Sequence, residues 1–248
     1  MNSLIKSFFT TTLFLISSAF GATPMSAVEH LKKMEAHLFG ASFEAKILMQ
    51  VKNSMGERNL EAKVWQEGTE NALVKILAPT KDKNTGNLRL KFDLWQYLPN
   101  TDRVIKIPSS LMLQSWMGSD FTNDDLVRAS RLSRDYESKL LPGSLDEIKI
   151  ECLPKKDAPV VWGKVVVTLR KKDSVAVSQE FYSERGELLK KMTGSDHKTF
   201  GQHTIPTLVT MESTRKGSST TIRYQDVQFD KKIPASMFTQ GQLKKPVF

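Results

Sequence analysis

The chain has 248 residues, with 36 Lys+Arg against 27 Asp+Glu, a formal charge of +9 and a single cysteine. Its 40% hydrophobic and 25% charged residues are those of a folded globular protein and exclude disorder as the main state. The lone Cys152 excludes an internal disulfide framework and a cysteine-based zinc site, while the positive charge leaves nucleic acid, anionic membranes and acidic substrates open.

Residues 1–21 read as a secretory signal peptide. Lys6 supplies the positive start, Phe8-Phe9 and Leu13 to Ile16 a short apolar stretch, and Ala19-Phe20-Gly21 the small residues of a cleavage site. The stretch is short and interrupted by Thr10, Thr11 and Thr12, which argues against a membrane span. The expected mature chain is 22–248, a single domain exported to the periplasm. That compartment removes nucleic acid from the expected partners and favours lipid, envelope polymer or an acidic protein.

Ser26 to Glu29 fits a helix-capping box, and Val28, Leu31, Met34 and Leu38 recur at helical spacing up to Gly40. From Phe43 the period changes to two. Phe43, Ala45, Ile47, Met49 and Val51 predict a half-buried strand. A turn at Asn53 to Glu57 leads into Leu60, Ala62 and Val64. Further strands are predicted at Leu73 to Leu77, through Leu88, Leu90, Phe92 and Leu94, and at Val104 to Ile107. Short strands separated by turn signals imply an antiparallel meander.

The alternation breaks between Pro108 and Ser130. Leu111, Met112, Leu113, Trp116 and Met117 form a dense apolar cluster, and Thr122 to Asp125 resembles a second capping box opening a helix through Val127. A helix–loop–helix insert over 109–130, able to act as a lid, is the expectation. Strands resume at Ile148 to Cys152, Val160 to Leu169, Val175 to Tyr182, Leu188 to Met192, Thr207 to Glu212 and Thr220 to Phe229. Pro234 to Phe238 closes the chain as a loop or short helical turn.

Catalytic and metal-binding patterns do not emerge. His30, His37, His197 and His203 lack ligand spacing, Ser195-Asp196-His197 are too close in sequence to converge as a triad, and the isolated glycines build no phosphate loop. Asp120, Asp124 and Asp125 suit a helix start. The basic residues fall in scattered pairs, the pattern of a solvated surface. No enzyme, cofactor or metal is expected. What stands out is apolar: Trp65, Trp95, Tyr97, Leu111, Met112, Trp116, Met117 and Phe121 are the candidate lipid-binding residues, forming the wall and lid of a cavity. An acyl chain would gain about 0.8 kcal/mol for each methylene buried there.

Leu94-Trp95-Gln96-Tyr97-Leu98-Pro99, Arg103-Val104 and the string Trp116-Met117-Gly118-Ser119-Asp120-Phe121-Thr122 resemble the outer-membrane lipoprotein-sorting (LolA/LolB-like) family, in particular its exporter-associated branch. Phe181-Tyr182, Gly186-Glu187-Leu188 and Ile233-Pro234 to Phe238 extend the resemblance from about Ala27 to Leu243. It implies a mainly β (α+β) fold, a curved antiparallel sheet forming an unclosed half β-barrel covered by short helices around a hydrophobic cavity. It also implies a non-catalytic monomer that carries lipid or an acylated protein towards the outer membrane, in contact with an inner-membrane transporter and transiently with membrane. The alternative is an accessory subunit of an RND-type lipid exporter.

Overall fold

The computed structural model describes residues 24–128, 131–214 and 217–247. The expected signal segment 1–21 lies outside them. The first element is the helix α1 (Ala27–Phe39), whose capping box forms as expected: the Ser26 side chain accepts from the Glu29 N–H, and the Glu29 carboxylate accepts from the Ser26 N–H at 2.7 Å. Ala27, Leu31 and Met34 make its buried stripe.

Six strands follow: β1 (Ser42–Asn53), β2 (Gly56–Glu67), β3 (Asn71–Ala78), β4 (Gly86–Leu90), β5 (Asp93–Leu98) and β6 (Arg103–Lys106). The predicted strand through Leu88 and Leu94 is in fact two strands. Lys91 takes a left-handed conformation (φ 57°), β4 folds back on β5 with Leu90 opposite Asp93, and Phe92 is left exposed at the bend. The even spacing of the leucines hides a change of face: Leu88 and Leu90 of β4 pack on one side of the sheet and Leu94 of β5 on the other.

The insert comes next. Its first half is two short 3-10 turns, Ser109–Leu111 and Trp116–Gly118, and not the expected helix. Pro108 precedes it, and Met117 and Gly118 both have positive φ, which stops helical propagation. Its second half is helical, α2 (Asn123–Arg128), followed by the single turn α3 (Leu132–Asp135). The second capping box is real: Thr122 N–H and hydroxyl both donate to the Asp125 carboxylate, at 2.7 and 2.8 Å.

Seven more strands follow among the described residues: β7 (Tyr136–Leu141), β8 (Glu147–Pro154), β9 (Lys164–Arg170), β10 (Ala176–Tyr182), β11 (Leu188–Phe200), β12 (His203–Ser213) and β13 (Ser218–Phe229). Strand β7 was not anticipated, because it is an edge strand with one buried residue, Tyr136. Strand β9 starts at Lys164 and not Val160; Gly163, just before it, lies so close to the backbone of Ser183 and Glu184 that no side chain fits there. A 3-10 turn (Ala235–Met237) and the helix α4 (Gln240–Lys244) end the fold.

All thirteen strands lie in one antiparallel sheet, in the order β6-β5-β4-β3-β2-β1-β13-β12-β11-β10-β9-β8-β7. Two meanders therefore meet at a central seam, where β1 pairs with β13 and Phe43 lies opposite Phe229. The sheet is not closed. Its two edges are β6 and β7, the strands on either side of the insert in the chain, so the insert spans from one edge to the other.

The first meander buries apolar side chains on both faces, although the outer face of β1 and β2 also carries the ion pairs Lys46–Glu61 and Lys63–Glu44. On the inner face Leu60, Ala62, Val74 and Ile76 cluster with Trp116. On the outer face Trp65, Leu73, Leu88 and Tyr97 pack under Ile233, Phe238 and Leu243 from the C-terminal segment. The second meander packs its inner face against α1, with Leu31 and Met34 meeting Ile150, Cys152, Val165 and Val167. Cys152 has no exposed surface, and burial pushes its thiol up to about 12.

Candidate functional site

The concave face encloses a predominantly apolar cavity of about 270 Å³. Its walls come from both meanders: Val64, Val74 and Leu94 on one side, Val165, Phe181, Val209 and Met211 on the other, and Ile47 and Ile222 at the seam. Leu38 and Phe39 of α1 close one part of it, and Trp116, Phe121 and Leu126 of the insert another.

The insert is fixed to both meanders by side chains of its own string. The Trp116 indole N–H donates to Asn87 Oδ1 on β4 at 2.9 Å. Arg58 on β2 donates to the Met117 carbonyl. The Asp120 carboxylate accepts from Thr220 Oγ1 at 2.8 Å and from Ser218, both on β13. Ser119 donates its hydroxyl back to the Trp116 carbonyl at 2.7 Å, which shapes the turn that aims Phe121 inward.

Two further side chains hold α2. Arg89 on β4 donates Nη1 to the carbonyls of Leu126 and Val127, at 3.1 and 3.3 Å. From the other meander, Lys190 Nζ on β11 lies 2.5 Å from Asp125 Oδ2, and both side chains are almost fully buried. The same ammonium sits 4.6 Å from the centre of the Trp162 ring and 5.0 Å from that of Phe181. Burial lowers the Arg89 guanidinium to about 10, with Arg131 adding to the effect and Glu70 opposing it.

Of the eight sequence-predicted site residues, Trp116 and Phe121 line the cavity. Met117 packs beside them, half-buried, in the inner cluster. Leu111 and Met112 pack with Leu94, Ile107 and Val127 where the insert meets β5, and do not reach the cavity surface. Trp65, Trp95 and Tyr97 stand on the outer face under the C-terminal segment, which corrects their expected place in the cavity wall. The reason is strand alternation: Val64, Gln66 and Leu94 face inward, so their neighbours face out. Asn87, Arg89, Trp162 and Lys190 are the residues that sequence reasoning passed over. Asn87 and Arg89 share the strand face opposite Leu88, a pattern that in the sequence looks like the solvated side of an amphipathic strand.

The letters of a triad do not meet. The Asp196 carboxylate accepts from Thr207 Oγ1 at 3.0 Å and pairs with Lys198 and Arg223, while His197 Nε2 lies 3.1 Å from the Ala176 carbonyl. His203 bridges Asp230 at 2.7 Å and the Ala36 carbonyl at 3.0 Å, fastening α1 to the end of the seam.

A protein-family model described as an uncharacterized protein matches residues 68–245. No curated protein matches the chain. Among solved structures, the chain is similar to a domain from Vibrio parahaemolyticus described as an outer membrane lipoprotein-sorting protein. That pair is 23% identical with a TM-score of 0.79, over 88% of this chain and 98% of that one. A DUF1329 family protein from Desulfovibrio piger is 20% identical with a TM-score of 0.82, over 88% and 97% of the two chains. A LolA superfamily protein from Nitrosomonas europaea is 23% identical with a TM-score of 0.75, over 88% and 100%. The fold is that of the LolA-like proteins, an unclosed antiparallel sheet with a few short helices.

Proposed function

Because the chain belongs to the family whose model matches residues 68–245 and has the LolA-like fold, we propose that it is a carrier that takes lipid or a lipid-modified protein into its cavity and moves it across the periplasm towards the outer membrane. The observation that carries this reading is the cavity itself, which is apolar and bounded by both meanders, with an insert fixed across it by separable polar contacts. Opening the insert exchanges a few hydrogen bonds and one ion pair for access to the cavity, and each methylene of an entering chain returns about 0.8 kcal/mol. The reading includes export through residues 1–21, a monomeric non-catalytic protein, and delivery from an inner-membrane transporter with transient membrane contact. Among the described residues no helix is long and apolar enough to cross a membrane.

Mass spectrometry of the purified protein under native conditions, together with uptake of a fluorescent phospholipid, tests it. A bound amphiphile released on unfolding and saturable uptake are expected. Protein that is always empty and takes up no lipid would sink the proposal.

A second reading is an accessory subunit docked on an RND-type exporter. It is supported by Leu113 on the insert and Ile105 on the edge strand β6, which are 55% and 40% exposed close to one sheet edge. Leu113→Asp that abolishes binding to the exporter while leaving lipid uptake intact would favour it.

A further inference from the structure

Two buried residues on the cavity face of β4 carry donor groups with no acceptor among the described residues. Asn87 and Arg89 are each 3% exposed and both line the cavity. Two residues apart on one strand, they project from the same face about 7 Å apart along it. An indole nitrogen can only donate, so the Trp116 contact at 2.9 Å fixes the Asn87 amide with Oδ1 towards Trp116. Nδ2 then points elsewhere, and it has no hydrogen-bond partner among the described residues.

Arg89 presents the same situation with a charge. Its Nη1 is taken by the two α2 carbonyls, but Nε and Nη2 have no hydrogen-bond partner among the described residues. Those two atoms form one edge of the guanidinium, a fork that matches two oxygens of one oxyanion. This molecule uses that edge in this way elsewhere: Arg170 donates Nε to Asp173 Oδ1 at 3.1 Å and Nη2 to Oδ2 at 2.6 Å. A buried donor left without an acceptor is costly, and more so when it is charged.

The acidic residues that share the cavity do not supply the missing acceptor. Asp125 is held by Lys190 at 2.5 Å, and Asp135 Oδ1 by Arg134 at 3.4 Å, with no hydrogen-bond partner for Oδ2 of Asp135 among the described residues. Asp124 has an interaction of its own. The charges that act on Arg89 are the repelling Arg131 and the attracting Glu70, and Glu70 lies 3.8 Å from Arg131.

We propose that Asn87 and Arg89 form an oxyanion site inside the cavity, which takes the carboxylate or phosphate head of an amphiphile while the apolar walls take its chain. This rests on the carrier reading and adds to it the chemical class of the head group. Burial makes the site strong: in a low-dielectric wall, a charge-assisted bidentate contact is worth far more than in water.

Titration calorimetry of the full chain tests the proposal with four probes: laurate, dodecyl phosphate, methyl laurate and inorganic phosphate. The two anionic amphiphiles should bind at least about tenfold more tightly than the ester, a factor equal to about 1.4 kcal/mol. Arg89→Gln should bring that ratio to about one, since the variant loses the fork for the acids and touches acids and ester alike through α2. Asn87→Asp keeps an acceptor for Trp116 but sets a carboxylate against the anion, and should lower the ratio with the arginine still present. It also stands in if the arginine variant does not fold. Inorganic phosphate should bind at least about a hundredfold more weakly than dodecyl phosphate, for want of the methylenes. Equal affinity of phosphate and dodecyl phosphate would make this a free-anion site and overturn the head-group assignment. So would a wild-type ratio of one, or a ratio unchanged in both variants, and in those cases the carrier reading stands if methyl laurate binds. Failure of all three amphiphiles to bind would overturn the carrier reading together with the site.

Discussion

Lys190 and Asp125 join the two meanders through the insert, and their ion pair is almost fully buried. Removing one partner of such a pair leaves an uncompensated charge, so Lys190→Met or Asp125→Asn should each lower stability by about 3–5 kcal/mol. The double variant should lose much less than the sum, as measured by urea unfolding. Lys75 is a different case. It has 1% exposure on the outer face, donates to the carbonyls of Asn84 and Leu243 at 2.9 and 2.6 Å, and burial lowers its ammonium to about 8. A folded value below the unfolded one of about 10.4 means that the unfolded chain binds more protons between the two. Stability carried by this group therefore rises from pH 8 to about pH 10. The thermal midpoint of wild type should gain on that of Lys75→Met across this window, and equal pH slopes for the two proteins would show that Lys75 is not the cause.

Among the elements, the C-terminal segment covers the aromatic outer face of the first meander. Leu243 in α4 has no exposed surface and meets Leu73, Leu88 and Tyr97 in one cluster. Leu243→Ala should cost about 2–5 kcal/mol and increase binding of a hydrophobic dye, as the cluster beneath loses its cover. This double-sided packing also explains what the sequence could and could not tell. Strands β1 and β2 were legible because their apolar residues largely alternate with polar ones, β3 as a short apolar run, and the capping boxes at Ser26 and Thr122 marked the starts of α1 and α2. Which face of β2 and β5 enclosed the cavity was not legible, because Trp65, Trp95 and Tyr97 put large apolar side chains on the other face and alternation assigns a residue to a face without saying what covers it. Trp65, Trp95 and Tyr97 were therefore placed inside. The second half of β11 was missed for the opposite reason, since Thr193 to Lys198 are mostly exposed and lack an apolar rhythm. Arg89 was hidden because a buried arginine and a solvated one look the same in a strand pattern.

At the scale of the whole molecule, cavity and sheet are parts of one design, since Val209 and Val74 face each other's meanders across the space they enclose. A larger side chain there fills a void instead of overpacking a core, so Val209→Phe should keep the fold within about 1–3 kcal/mol of wild type. Phospholipid uptake should fall at least several-fold while the far-ultraviolet dichroism is unchanged. Uptake that survives would mean that the cargo binds elsewhere. The seam between β1 and β13 has its own consequence. It joins Phe43 to Phe229, so the central pair of the sheet brings together residues from near opposite ends of the described chain. Contacts so distant in sequence are reached slowly, after a large loop has closed. Each meander can form from neighbouring hairpins, but the two cannot be zipped into one sheet until the last strand is free. A chain leaving the ribosome thus lacks its central strand pair until β13 has emerged, however early the two arms of the sheet take shape.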